Sequence, residues 1–358
     1  MFIFASYMRI LHIIFTFRTG GAETMLVDIM NRQAALGHTV GLLIINDGVD
    51  QGLLSTINDR VEVTHWPRRP GSRKLWLALR LNAWVRLWRP DVAHLHDPKL
   101  PGLLRGMDHK LVYTIHALGL SQQYLRPTVK QVAITDAVRD DVLAMRRMVD
   151  IMVIPNGIDI DAIRRRDSER LPAEGEFRIV QAGRLDTATK GQDILIKALG
   201  ILNRKGVAGV YVDFIGEGAD RRKLEELARS EGVASRVTFR GLMTRKEVYN
   251  AYADYDLMVH PARYEGFGLI VAEAMAAGLP VAVPVDGGPY EVIDRGHLGE
   301  TFEQEDPESC AEAIEQVRRS YQSALLRAEL ARSRAALSYS LNAMVDEYIA
   351  LYRSLSRK

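Results

Sequence analysis

Residues 177–206 read FRIVQAGRLDTATKGQDILIKALGILNRKG, and their pattern decides the fold class. A short apolar run rich in β-branched residues ends at Gly183. A polar loop follows, and then a stretch with helical apolar spacing stops at Gly206. Strand, loop and helix in that order form half of a βαβ unit. The same pattern recurs downstream in VYVDFIG (210–216), VTFRG (237–241), LMVHP (257–261) and VAVPV (281–285), with helix-like segments such as RRKLEELARSEG (221–232) between them. Upstream it appears in RILHIIF (9–15), TVGLLII (39–45), VEVTHW (61–66), VAHLH (92–96), LVYTIH (111–116) and QVAIT (131–135). Near-continuous apolar strands belong to parallel sheets covered on both faces. Two such sets predict an α/β protein of two Rossmann-like, doubly wound domains.

Length agrees, since 358 residues exceed what one hydrophobic core usually serves. A turn signal at Pro155-Asn156-Gly157 and the charged stretch after it place the boundary. The expected divisions are residues 1–163, residues 164–340, and a helical tail, 341–358, packing back on the first domain. Composition is that of a soluble globular protein, with 47% hydrophobic and 26% charged residues. The single cysteine, Cys310, excludes an internal disulfide framework and fits a reducing, cytoplasmic setting. No apolar run is long enough for a spanning helix. Arg9 interrupts the apolar N-terminus, so residues 1–7 read as a short appendage. Residues 1–160 carry 19 basic against 14 acidic side chains, +5, and the remainder carries −3 of the overall +2. The first half is therefore the one suited to an anionic surface, and nothing points to nucleic acid.

Ligands of open α/β sheets bind at the carboxyl ends of strands, so the loops there hold the candidates. Gly20-Gly21 open a helix whose first turn carries Glu23, which suits backbone approach to an anion, although a plain tight turn gives the same pattern. It is not GxGxxG, which removes the main support for a nicotinamide site. Beyond Gly183, Arg184 and Lys190 could hold a diphosphate, unless the loop is merely solvated. His116 ends a strand of the first half, whereas His12, His94 and His96 read as structural. The stretch RYEGFGLIVAEAMAAG (263–278) puts Glu265 in a loop and Glu273 about one turn into the next helix, roughly 6 Å farther along its axis. The backbone N–H groups of Phe267, Gly268 and Leu269 stand at that helix start, where a phosphate is favoured, and carboxylates suit sugar hydroxyls.

Taken in order, GGAE (20–23), the histidine of YTIH, PNGID (155–159), GRLDTATKG (183–191), IGEG (215–218) and the two glutamates of EGFGLIVAE closely resemble the family 4 retaining glycosyltransferases. The resemblance covers nearly the whole chain. It implies a GT-B fold, two Rossmann-like domains facing a cleft, with a nucleoside-diphosphate sugar, most often a UDP-sugar, held mainly by the C-terminal domain. By resemblance Arg184 and Lys190 match the diphosphate-binding pair and Glu273 the ribose-binding glutamate. Glu265 matches the residue beside the donor sugar, and His116 the one near its reactive face. Gly20 and Gly21 would approach the diphosphate, while Gly216 and the backbone around Met243 would line the base. Thr135 and Asp286 depart mildly from the usual residues.

The expected activity is transfer of the sugar to an acceptor hydroxyl with retained configuration, in polysaccharide or glycolipid assembly, without a metal or other cofactor. The sequences Asp159-Ile160-Asp161 and Asp254-Tyr255-Asp256 read as chance DxD matches. The rivals are a sugar-nucleotide epimerase on the same fold and a non-catalytic nucleotide-sugar-binding protein. One segment, 66–90, holds all four tryptophans and seven basic residues. Trp76, Arg80, Trp84 and Trp88 recur every four residues. Residues 73–89 thus suggest either peripheral contact with an anionic inner-membrane face, suited to a lipid-linked sugar acceptor, or a helix packed on the first sheet.

Overall fold

A computed structural model describes residues 7–69 and 74–356. The first six residues of the expected appendage, and Arg73 of the Trp-rich segment, lie outside the described residues. The chain forms two compact units, one running to Gly157 and regaining the chain at Leu341, the other spanning Ile158–Ser340. The division falls at Gly157–Ile158 rather than at 163/164, because Ile158 already donates to the Tyr339 carbonyl (2.8 Å) and pairs with Ser340.

The first unit contains β1 (Arg9–Ile14), β2 (Thr39–Asn46), β3 (Val61–Arg68), β4 (Val92–Leu95), β5 (Leu111–Ile115), β6 (Lys130–Ala133) and β7 (Ile151–Val153). They form one sheet in the order β3-β2-β1-β4-β5-β6-β7, all parallel. The second unit contains β8 (Phe177–Ala182), β9 (Val210–Ile215), β10 (Val237–Gly241), β11 (Leu257–Val259), β12 (Val281–Pro284) and β13 (Glu300–Phe302). Their order is β10-β9-β8-β11-β12-β13, again all parallel. Each sheet grows outward from its first strand and then returns to that strand's other side. The switch points are therefore β1/β4 and β8/β11. Two strands escaped the sequence reading, β7 and β13. Each has three residues at a sheet edge, too short for a periodic signal.

Helices cover both faces. The helix Gln192–Arg204 buries Ile194, Leu195, Ala198 and Leu199 against Ile179, Val212 and Phe214. In the first unit the helix Leu341–Ser356 returns Met344, Val345, Tyr348 and Tyr352 to a core with Ile10, Val92, Val112 and Val132. Arg166, fully buried, anchors the start of the second unit by donating to the Tyr255 carbonyl (3.1 Å) and the Tyr321 hydroxyl (2.9 Å).

The Trp-rich segment forms the helix Lys74–Trp88, but four-residue steps do not stack its aromatics on one face. Each step of four overshoots a 3.6-residue turn by about 40°, so Trp76 and Trp88 end about 120° apart. Leu77, Leu81 and Val85 are buried. Trp84 sits edge-on to Trp66 at 5.8 Å, and Trp88 lies under the Arg9 guanidinium and donates to Glu62 (3.0 Å). Trp76, 68% exposed, faces outward with Leu79 and Leu87.

Candidate functional site

The loops after β8 and β11 meet at the switch point of the second sheet. Thr187–Lys190 makes a single helical turn after β8, its start held by Asp220, which accepts from the Thr187 N–H (2.7 Å) and hydroxyl (2.6 Å). Arg263 joins the two loops, donating to both carboxylate oxygens of Asp193 (2.8 and 3.0 Å) and to the Thr187 carbonyl (2.6 Å). Its own N–H donates to the Thr189 carbonyl (2.9 Å). Gly191 permits the crossing, because a Cβ there would stand 1.9 Å from the Pro261 carbonyl oxygen, and its φ is +65°. Gly288 does the same on the other side of the loop, where a Cβ would lie 2.3 Å from the Gly266 carbonyl oxygen.

This scaffold brings Lys190 and Glu265, 75 residues apart in sequence, into an ion pair. Buried His260 lies 3.4 Å from the same Glu265 oxygen. Burial pushes the Glu265 carboxyl upward, but His260 and the Lys190 ammonium outweigh it and hold the group down at about 2. Glu265 is thus a fixed anion and Lys190 its cationic neighbour. Arg184 stands at the same strand end with its side chain 70% exposed and paired with Asp186 (3.2 Å). An exposed guanidinium and a half-buried ammonium on the same segment after β8 suit an anionic ligand with more than one charged group.

The helix Leu269–Ala277 begins directly after this loop, capped by Gly268 at φ +91°. Phe267 turns its ring inward, edge-on to Tyr339 at 5.4 Å, so only its backbone could serve a ligand. Leu269 is half-buried. Glu273 is held by the buried Tyr252, whose hydroxyl donates to it at 3.0 Å. The two glutamates of EGFGLIVAE thus have separate supports, a cationic one for Glu265 and a phenolic one for Glu273. Gly183 and Gly216 follow β8 and β9, and their N–H groups donate to Ile215 (2.9 Å) and Gly241 (2.8 Å). Half-buried Met243 follows β10. Sequence reasoning passed over His260, Arg263 and Asp220, which lie beside the motif residues and orient them.

Neither DxD sequence gathers its acids for a cation. Asp256 accepts from the Arg178 N–H (2.9 Å) and faces Arg166 and Arg170, Asp254 pairs with Arg164, and Asp161 lies in a single 3-10 turn. The two departures from the family pattern are helix caps: Thr135 accepts from the Val138 N–H (3.2 Å) and Asp286 from the Gly287 N–H (2.6 Å).

In the first unit, Gly20 caps the helix Gly21–Ala35 in an extended conformation. A Cβ on Gly20 would lie 2.6 Å from the Glu23 carboxylate. His116 follows β5 directly; both its ring nitrogens are buried, and burial lowers its imidazole to about 4. The sheet gathers three more histidines beside it. His12 and His94 are register partners on β1 and β4, and His96 stacks on His116 with 5.9 Å between centroids. A cavity of about 590 Å³ opens at the carboxyl ends of β1 to β4, lined in part by Thr16, Asn46, Arg68, Asp97 and Tyr124.

Residues 163–333 match the family described as Glycosyl transferases group 1, and residues 19–162 match Glycosyltransferase Family 4. Glycogen synthase of Mycobacterium tuberculosis is 28% identical over 346 residues, which cover 89% of this chain and 82% of that protein. The lipopolysaccharide core biosynthesis glycosyltransferase LpsE of Rhizobium meliloti is 26% identical over 352 residues, covering 97% of this chain and 99% of that one. Among solved structures, Anabaena Alr3699/HepE in complex with UDP and glucose superposes with a TM-score of 0.78 at 22% identity, over 97% of this chain and 100% of that one. Such neighbours show the fold, the two-domain Rossmann-like arrangement called GT-B.

Proposed function

Because the chain belongs to the family 4 glycosyltransferases, we propose that it transfers a sugar from a nucleoside-diphosphate sugar to an acceptor hydroxyl with retention at the anomeric carbon. The observation that carries this reading is the Lys190–Glu265 pair at the second switch point, with Arg184 exposed on the same segment after β8. An ammonium has three donors, so Lys190 can keep Glu265 and still take a phosphate oxygen. Arg184 takes another, and the helix N-terminus at Gly268–Leu269 adds its dipole. These groups can stabilise a departing diphosphate without a metal. Glu265, ionised and anchored, addresses the sugar side, Glu273 the ribose hydroxyls, and Gly183, Gly216 and Met243 the nucleoside. From the first unit, His116 addresses the sugar's reactive face, and Gly20 and Gly21 the diphosphate. Acceptor attack on the face the diphosphate leaves, with a phosphate oxygen taking the hydroxyl proton, retains configuration.

A uridine donor is supported by the UDP complex of the Anabaena structure. A role in polysaccharide or glycolipid assembly is supported by the names of the mycobacterial and rhizobial relatives. The cavity beside Asn46, Arg68 and Asp97 suits the acceptor. Among the described residues no helix is long and apolar enough to cross a membrane. Exposed Trp76, Leu79 and Leu87, with Arg80 and Arg86 on the same helix, support peripheral contact with an anionic, cytoplasmic membrane face instead.

The test is incubation with a panel of nucleoside-diphosphate sugars, without acceptor and then with glycan or lipid-linked acceptors. Expected results are slow release of nucleoside diphosphate without acceptor, a product of retained anomeric configuration by NMR, and a rate that survives EDTA. An inverted product would overturn retention. An epimerised donor formed without acceptor would replace the reading with its rival, and an EDTA loss restored by Mg²⁺ or Mn²⁺ would bring in a metal.

A further inference from the structure

Among the described residues of the first unit, three buried histidine ring nitrogens lack a hydrogen-bond partner: Nδ1 of His96 and both nitrogens of His116. They sit on stacked rings just beyond β4 and β5. A buried polar atom without a partner costs about 1–3 kcal/mol, so three gathered in one place mark where something is received.

The surrounding bonds fix which of these atoms can accept. Gln33 Oε1 is an acceptor 2.8 Å from His12 Nε2, so the His12 proton sits on Nε2. His12 Nδ1 is then a bare lone pair. Its 3.0 Å contact with His96 Nε2 requires the proton of His96 on Nε2. His96 Nδ1 is left as a lone-pair acceptor with nothing to accept from. A metal ion fits the cluster less well. The ring nitrogens of His12, His94 and His96 lie within 4.8 Å of one another, but His94 spends Nδ1 on the Tyr352 hydroxyl and Nε2 on Thr114, both at 2.7 Å, and His12 spends both of its nitrogens.

We propose that His96 is a second substrate-facing histidine of this enzyme, its Nδ1 held by the Gln33–His12 relay as the acceptor for a carbohydrate hydroxyl. Gln33 and His12 are positioning residues, acting through His96. The inference rests on the glycosyltransferase reading above.

Two variants of one residue separate this role from a structural one. Asparagine places its amide close to where histidine has Nδ1, and glutamine close to Nε2. H96N should therefore retain more activity than H96Q, which preserves the link to His12 but should lose about tenfold in kcat/KM, the value of one neutral hydrogen bond at the upper end. Equal activities, or H96Q the better of the two, would overturn the assignment. Gln33→Leu should fall with H96Q and Gln33→Glu should recover, since glutamate still accepts from His12. If the hydroxyl belongs to the donor, hydrolysis without acceptor falls in step. If it belongs to the acceptor, hydrolysis stays and only the acceptor KM rises. Long-range ¹H–¹⁵N spectra of histidine-labelled protein read the tautomer without any substrate, so they hold even if no sugar is ever transferred. His96 protonated on Nε2 is expected, and Nδ1–H would remove the relay. Thermal stabilisation by Zn²⁺ or Ni²⁺ that His12→Asn abolishes would put a metal site in its place.

Discussion

The two units share one order over six strands, the first adding β7 at its edge, and place loops at equivalent switch points, yet they fill them with opposite chemistry. Between β8 and β11 stand Lys190, Glu265 and Arg184, charged groups whose positions are set by ion pairs and by glycines that let two loops touch. Between β1 and β4 stand His12, His94 and His96, with His116 on the next strand, four imidazoles held neutral by burial. Topology places the two sets of loops alike; the residues decide whether a switch point holds charged or neutral groups.

Acid should pull the two units apart most strongly. Burial lowers all four imidazoles from 6.5, His12 and His116 to about 4 and His94 and His96 well below 6.5. The unfolded chain therefore binds protons first. Stability present above pH 6.5 should fall below it by roughly 1.4 kcal/mol per pH unit for each histidine still neutral. Glu265, held at about 2 against an ordinary 4.5, acts in a lower window: its contribution is full above 4.5 and is lost as pH falls toward 2. Denaturation midpoints from pH 7 to 3 should show the first unit failing earlier, with His12→Asn flattening the upper window and Glu265→Gln the lower. A flat profile between pH 7 and 5 would contradict the neutral cluster.

Next in size, Lys190→Ala should lower kcat by about 10²–10³-fold and weaken nucleoside diphosphate binding. His116→Ala should cut turnover while calorimetry shows diphosphate affinity nearly kept. Equal diphosphate affinities for the two variants would erase the division of labour. Gly191→Ala, which sets a methyl against the Pro261 carbonyl, should cost about 1–3 kcal/mol in denaturant unfolding and part the two loops. Arg184→Ala should weaken diphosphate binding about tenfold, the scale of a charge-assisted hydrogen bond, with an unchanged melting temperature because the side chain is exposed. Smallest is the membrane term, about 1 kcal/mol per basic side chain. Reversing charge at Arg80 and Arg86 should reduce co-sedimentation with anionic vesicles at low salt, and binding indifferent to both changes would leave the exposed tryptophan without a membrane role.

Much of this was readable from consecutive residues. Apolar runs ending in glycine, followed by helical spacing, specify βα units wherever they occur, and GRLDTATKG with EGFGLIVAE names the family because its turn glycines and charged residues sit at fixed offsets. The three-residue edge strands β7 and β13 leave no such trace. The sequence also could not assign faces on the Trp-rich helix, where packing against Trp66 and Arg9 decides that Trp84 and Trp88 turn in and Trp76 turns out. Nor could it join Lys190 to Glu265, or His12 to His94 and His96, because those partners lie on, or in the loops just after, strands adjacent in the sheet but distant along the chain. Local order was written in the sequence by periodicity and turn chemistry; the state of each titrating group was decided only when strand order chose its neighbours and burial took its water away.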